Sequence, residues 1–214
     1  MRKDQFTRAA LNLNLGLIFF AAILSYPVSA ASKSTAGNPL PDFTTFVEQV
    51  QNGEADVLRG VYVPEVLALP VSQQPAGQPH YVSSKDGEAT QFSTASEYGN
   101  IGLLAHNHLS GDSFSQLAEG QEVRLVYGDG KVEYFIVTEL LRFQALQPKS
   151  AWSQFRDVTD DRVLSAGQMF DRVYSGGRHV TFQTCIRANG NWNWGRLFVL
   201  AWPLHSYAFH ARTH

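Results

Sequence analysis

Apolar positions along this chain alternate with polar ones in short runs, and turn residues punctuate the runs at close intervals. From residue 57 onward the texture is that of strands. Residues 57–71 (VLRGVYVPEVLALPV) are β-rich, but Pro64 interrupts them, which predicts an edge strand or a bend between two short strands. Residues 80–83 predict a further short strand. Residues 101–106 (IGLLAH) predict a buried strand that ends on a histidine. Residues 123–127 and 132–141 flank Gly128-Asp129-Gly130, a hairpin signal because Asp-Gly supplies the positive-φ positions of a tight turn. Residues 180–184 and 197–202 close the domain.

Helical spacing is rarer. Asp42 is placed to cap a helix carrying Phe43, Phe46, Val47 and Val50, ended by Asn52-Gly53. Residues 114–117 predict one helical turn. Within a long excursion over residues 149–178, a helix is expected from Asp160 to about Tyr174. Val163, Leu164, Met169, Phe170 and Val173 would be its apolar face, and Gly176-Gly177 its stop. Short strands at regular spacing predict a mainly β fold, a closed or nearly closed β-barrel with short helical inserts.

Composition narrows the picture. The chain has 214 residues, enough for one domain with a real core, and 44% hydrophobic against 17% charged residues is a globular balance. The net charge is −2 with no basic block, which argues against nucleic acid as a partner. Residues 1–30 read as a signal peptide. Arg2, Lys3 and Arg8 precede the apolar LGLIFFAAIL, and Val28-Ser29-Ala30 fits the small-x-small rule for cleavage before Ala31. The rival is an uncleaved anchor, for which the apolar stretch is short against the ~20 residues of a full span. Only in that case is the membrane a partner. Residues 31–55 are then linker and short N-terminal helix, 56–203 the β-barrel, and 204–214 a tail. Its histidines (His205, His210, His214) lack the compact spacing of a metal site. Neither metal nor cofactor is expected. Asp157, Asp160 and Asp161 are read as caps of a helix start in preference to calcium ligands.

The candidate chemistry gathers in residues 181–202 (TFQTCIRANGNWNWGRLFVLAW). A strand-like run ends on Cys185, the only cysteine, then come a Gly/Asn/Trp turn and a second run opened by Arg196. A lone cysteine in an exported chain can be a buried small hydrophobe, an intermolecular bridge or a reactive nucleophile. As nucleophile it needs a base, and a donor for the oxyanion of the tetrahedral intermediate. His106 or His108 can supply the first. Arg196 can supply the second, with Arg187 a competitor and pairing to an acid its bland alternative. Trp192 and Trp194, read as lying in the turn beside Cys185, either wall a peptide groove or pack across the hairpin.

These segments resemble the sortases, cysteine transpeptidases of the bacterial cell surface. Leu103-Leu104-Ala105-His106-Asn107 is similar to the family's histidine segment, and Thr181-Phe182-Gln183-Thr184-Cys185 followed by Arg196 to its cysteine and arginine motifs. Residues 61–71 and 114–117, the latter followed by Glu119-Gly120, resemble flanking family segments. Phe182 stands where leucine is usual and Ala105 where glycine is usual. The resemblance spans residues 56–203. It implies a closed eight-stranded sortase-type barrel, with His106, Cys185 and Arg196 catalytic and Thr184 matching the motif threonine beside substrate. It also implies cleavage of a sorting motif in a secreted protein through a thioester, then transfer to an amine of a cell-wall peptide or pilin lysine. A sortase-fold cysteine peptidase that only hydrolyses, a non-catalytic binding module and a dimer bridged through Cys185 are the alternatives. The enzyme is expected to be exported, extracellular or at the cell surface.

Overall fold

The structure, a computed structural model, describes residues 39–150 and 152–204. The expected leader, most of the linker and the histidine-bearing tail lie outside them.

Helix α1 (Phe43–Val50) is capped by Asp42, whose carboxylate accepts from the Thr45 amide at 3.0 Å and the Thr45 hydroxyl at 2.6 Å. Its buried residues Phe46 and Val50 cover Tyr62 and Val126 on the outer face of the sheet. Strands β1 (Leu58–Val63) and β2 (Leu67–Gln73) form the bent pair that Pro64 predicts. Pro64 and Glu65 take the corner, with Glu65 at φ 65°. β3 (Ala89–Phe92) then runs parallel to β2, and α2 (Ser93–Glu97) leads into β4 (Ile101–Leu104). After the short α3 (Gly111–Phe114), β5 (Glu122–Tyr127) and β6 (Val132–Ala145) form the predicted hairpin. Two short strands follow, β7 (Phe155–Asp157) and β8 (Val163–Leu164), then α4 (Ala166–Tyr174). β9 (Val180–Ala188) and β10 (Asn191–Pro203) complete the domain.

The strand order is β10-β9-β4-β3-β2-β1-β5-β6-β7-β8, and β6 also pairs with β10. That second pairing closes eight strands into a barrel, as the fold class anticipates, and leaves β7 and β8 as a flap continuing from β6. Alternation along β9 and β10 divides the apolar residues. Phe182, Leu197 and Val199 fill the barrel interior with Val61, Leu103 and Leu125. Phe198 and Leu200 belong to a second core outside the wall, built with Met169, Val173 and Tyr174 of α4.

Three expectations are corrected. The helix of the excursion starts at Ala166, not Asp160. Asp161 sits at φ 61°, which no helix continues through, and a reciprocal cap between Ser165 and Gln168 sets the true start. Val163 and Leu164 therefore pair with β7 instead of joining the helix face. Asp157 ends β7, and Asp160 and Asp161 lie in the β7–β8 connection; Asp157 accepts from the Thr159 amide and Asp160 from the Arg162 amide. Residues 80–83 form no strand, because the neighbour of β2 is Ala89–Phe92. The helical turn expected at 114–117 lies earlier, at Gly111–Phe114.

Candidate active site

Two registers place the chemistry. β4 and β9 are parallel neighbours, aligned from Ile101 opposite Val180 to Leu104 opposite Gln183. The Ala105 amide still donates to the Gln183 carbonyl at 3.3 Å. Because both chains run the same way, advancing each by two residues beyond the last pair brings His106 level with Cys185. β9 and β10 are antiparallel, and there Cys185 faces Arg196 directly. Directly opposed residues share a face of the sheet. Thiol and guanidinium thus stand side by side on β9 and β10, the histidine follows two residues after β4, and all three line one cleft of about 440 Å³.

That cleft lies outside the barrel wall. Phe182, Thr184 and Leu197 are buried, whereas Cys185 and Arg196 are only half-buried. Facing them across the cleft is the apolar surface of the excursion, with Phe155, Met169 and Phe170, while Phe92 and Phe198 extend the same lining. At its inner end the Tyr174 hydroxyl donates to Gln183 Oε1 at 2.6 Å, and burial pushes the Tyr174 phenol pKa up. The result is an apolar trough with a thiol, an imidazole and a guanidinium in its lining. Among the described residues Arg196 has no carboxylate partner. Its Nη1 donates to the Gly195 carbonyl at 2.9 Å and lies 3.4 Å from the Asn193 carbonyl, leaving other N–H groups for a ligand.

The backbone around His106 is held tightly. Its carbonyl accepts from the Leu109 amide at 2.9 Å and the Gly111 amide at 3.0 Å. Thr184 is 4% exposed, and its hydroxyl donates to the Ala105 carbonyl at 2.9 Å. The Thr184 hydroxyl thus ties the cysteine strand to the histidine turn. Gly111 closes the same knot. A methyl there would stand 2.4 Å from Thr184 Oγ1 and 2.7 Å from the carbonyl oxygens of Ala105 and His106. Sequence reasoning did not single Gly111 out; a glycine opening a four-residue helix is the only signal it leaves.

Trp192 and Trp194 are placed differently from expectation. The β9–β10 turn is only Asn189-Gly190, both at positive φ (50° and 75°), the conformation that lets two residues close a hairpin. Both tryptophans lie in β10, across an irregular register between Asn191 and Gly195. Trp194 is half-buried and lines neither cavity at Cys185. Trp192 lines a second, more polar cavity of about 660 Å³ on the other side of the thiol, with His108, Asp86 and Asp112. Thr184 and Cys185 line both cavities, so the thiol stands at their junction. His108 is thus separated from the trough that holds His106. Arg187 is committed elsewhere, its guanidinium 4.1 Å above the Trp192 ring.

No family model matches the chain, and no curated protein matches it. Solved structures do. The chain is similar to sortase A of Listeria monocytogenes at 15% identity, covering 69% of this chain and 86% of that one with a TM-score of 0.44. Sortase C-1 of Actinomyces oris is 13% identical over 77% and 82% of the two chains, with a TM-score of 0.46. A sortase D5 transpeptidase of Clostridium perfringens is 14% identical over 75% and 86%, with a TM-score of 0.44.

Proposed function

We propose that this chain is an exported cysteine transpeptidase of the sortase kind, with Cys185 as nucleophile, His106 as proton carrier and Arg196 as oxyanion donor. The observation that carries this reading is that Cys185 and Arg196, opposed on β9 and β10, line one apolar trough together with His106, two residues past β4.

The steps follow from the chemistry of the groups. Cys185 gives its thiol proton to His106, the resulting thiolate bonds to a backbone carbonyl carbon of a peptide lying in the trough, and the carbonyl π electrons move to oxygen. Arg196 donates to that oxyanion. Collapse breaks the C–N bond, and His106 gives its proton to the departing amine, leaving a thioester. An incoming amine attacks the thioester and gives its proton to His106, and the C–S bond breaks to regenerate the thiolate. The aromatic and thioether walls favour an apolar side chain beside the scissile bond. The peptide belongs to a sorting motif of a surface protein, and the acceptor is a cell-wall peptide or pilin lysine. Residues 1–30 provide the export route.

The test is cleavage of a library of candidate sorting peptides, read by mass. Wild type should release one discrete carboxy-terminal fragment, and Cys185→Ala none. Equal release by Cys185→Ala would overturn the reading.

A further inference from the structure

A histidine that must pass a proton between two partners needs a fixed ring, and in nucleophile–base pairs a third group supplies the orientation by hydrogen bonding the far nitrogen. Here none of the hydrogen bonds among the described residues reaches the His106 ring. What touches it is another ring. The His106 and His108 imidazoles are stacked, with centroids 5.4 Å apart and planes 29° from parallel. His108 in turn meets the Trp192 indole edge-on at 6.0 Å. The outer member is Arg187, 4.1 Å above the indole. Between the two histidines, Asn107 Nδ2 donates to the Trp192 carbonyl at 2.8 Å, pinning the hairpin strand to the histidine turn. Four planar groups therefore run from the base, which lines the trough, to the β9–β10 hairpin, and the outer three (His108, Trp192 and Arg187) line the second cavity.

We propose that the stack His108–Trp192–Arg187 is the positioning element of His106, so that Trp192 acts on the proton carrier through His108 and not on the peptide. This rests on the transpeptidase reading for the role of His106. The alternative is a groove wall. Trp192 and His108 line the second cavity, whereas His106 and Arg196 line the trough. A Trp192 that positions the base should govern turnover of any peptide. One that walls a peptide site should govern affinity.

The experiment uses the full chain and four variants, His108→Ala, His108→Phe, Trp192→Ala and Trp192→Phe, together with the double alanine variant. Two rates are read: iodoacetamide labelling of Cys185, which needs no peptide, and peptide acylation resolved into kcat and KM. Each single alanine variant should slow both rates by roughly tenfold, leaving KM within about twofold, a loss in keeping with a small displacement of one catalytic group. The double variant should be no slower than either single, because the two rings act in series. His108→Phe and Trp192→Phe should recover most of the rate, since each keeps a planar partner in the stack. Unchanged labelling in both alanine variants would overturn the proposal. So would a raised KM at constant kcat in Trp192→Ala, or a His108→Phe variant as slow as His108→Ala. A wild type that labels fast but acylates with no peptide would count against the transpeptidase reading alone, and the labelling series would still decide the stack.

Discussion

Cys185 and Arg196 are register partners on antiparallel strands, so the thiol and the guanidinium project from the same face of the sheet at the same level. Rigid strands, rather than loops, set their spacing. Arg196→Ala should lower kcat by about 10²–10³, the loss typical of one oxyanion donor, with the fold and the peptide KM little changed. Arg196→Lys should recover only part of it, because a lysine lacks the planar fork. Steady-state kinetics with a cleavable peptide check both.

Gly111 predicts a loss of activity without contact with any substrate. Gly111→Ala forces apart Thr184 Oγ1 and the carbonyls of Ala105 and His106. The histidine turn must shift relative to the cysteine strand. The expected result is kcat down by at least about tenfold, as for a misplaced catalytic group. Thr184→Val is the milder probe of the same knot. It leaves the Ala105 carbonyl short of one hydrogen bond, at a cost of about 1 kcal/mol in denaturant unfolding.

Phe182 stands beside this knot on the inner face of the barrel, fully buried, with its ring edge-on to Phe114 at 5.1 Å. Phe182→Ala should cost about 3–5 kcal/mol in urea unfolding, the range for an aromatic deleted from a core. Phe182→Leu, a smaller loss of volume, should cost far less.

The acid limb of stability should depend on Glu133. Burial works to raise its pKa, but hydrogen bonds from Arg178, Lys131 and Tyr127 outweigh it and hold the carboxyl below its ordinary value of 4.5. The folded state therefore binds fewer protons here than the unfolded chain between the two values. This stabilisation is present above pH 4.5 and is lost as pH falls through the lowered folded value. Across the same contact the Tyr127 phenol is pushed up to about 12, by burial first and by the Glu133 charge second. Glu133→Gln should flatten the decline of melting temperature below pH 4.5 relative to wild type. An unaltered decline would contradict this.

Much of the architecture was legible in the chain. Pro64 marked the β1–β2 corner, Gly128-Asp129-Gly130 the β5–β6 hairpin, Asp42 the start of α1, and IGLLAH a buried strand running toward His106. What escaped was set by pairing between distant segments. Ala89–Phe92 is too short to signal a strand by alternation, yet it is held between β2 and β4. Val163 and Leu164 fit a helical face by spacing, but the left-handed Asp161 and the Ser165 cap decided otherwise. The tryptophans looked like turn residues because the true turn, Asn189-Gly190, sits at the near edge of a longer polar stretch. The candidate site was legible as residue types and order. The parallel β4–β9 register that sets His106 beside Cys185 was not, since nothing local to either strand encodes which neighbour it takes.

The most direct test of the central claim is the intact mass of the protein after incubation with candidate sorting peptides, with and without an added amine. The account predicts an acyl adduct on Cys185 that disappears when amine is supplied, with a ligated peptide appearing in its place. Absence of any adduct alongside a thiol unreactive to iodoacetamide would contradict it.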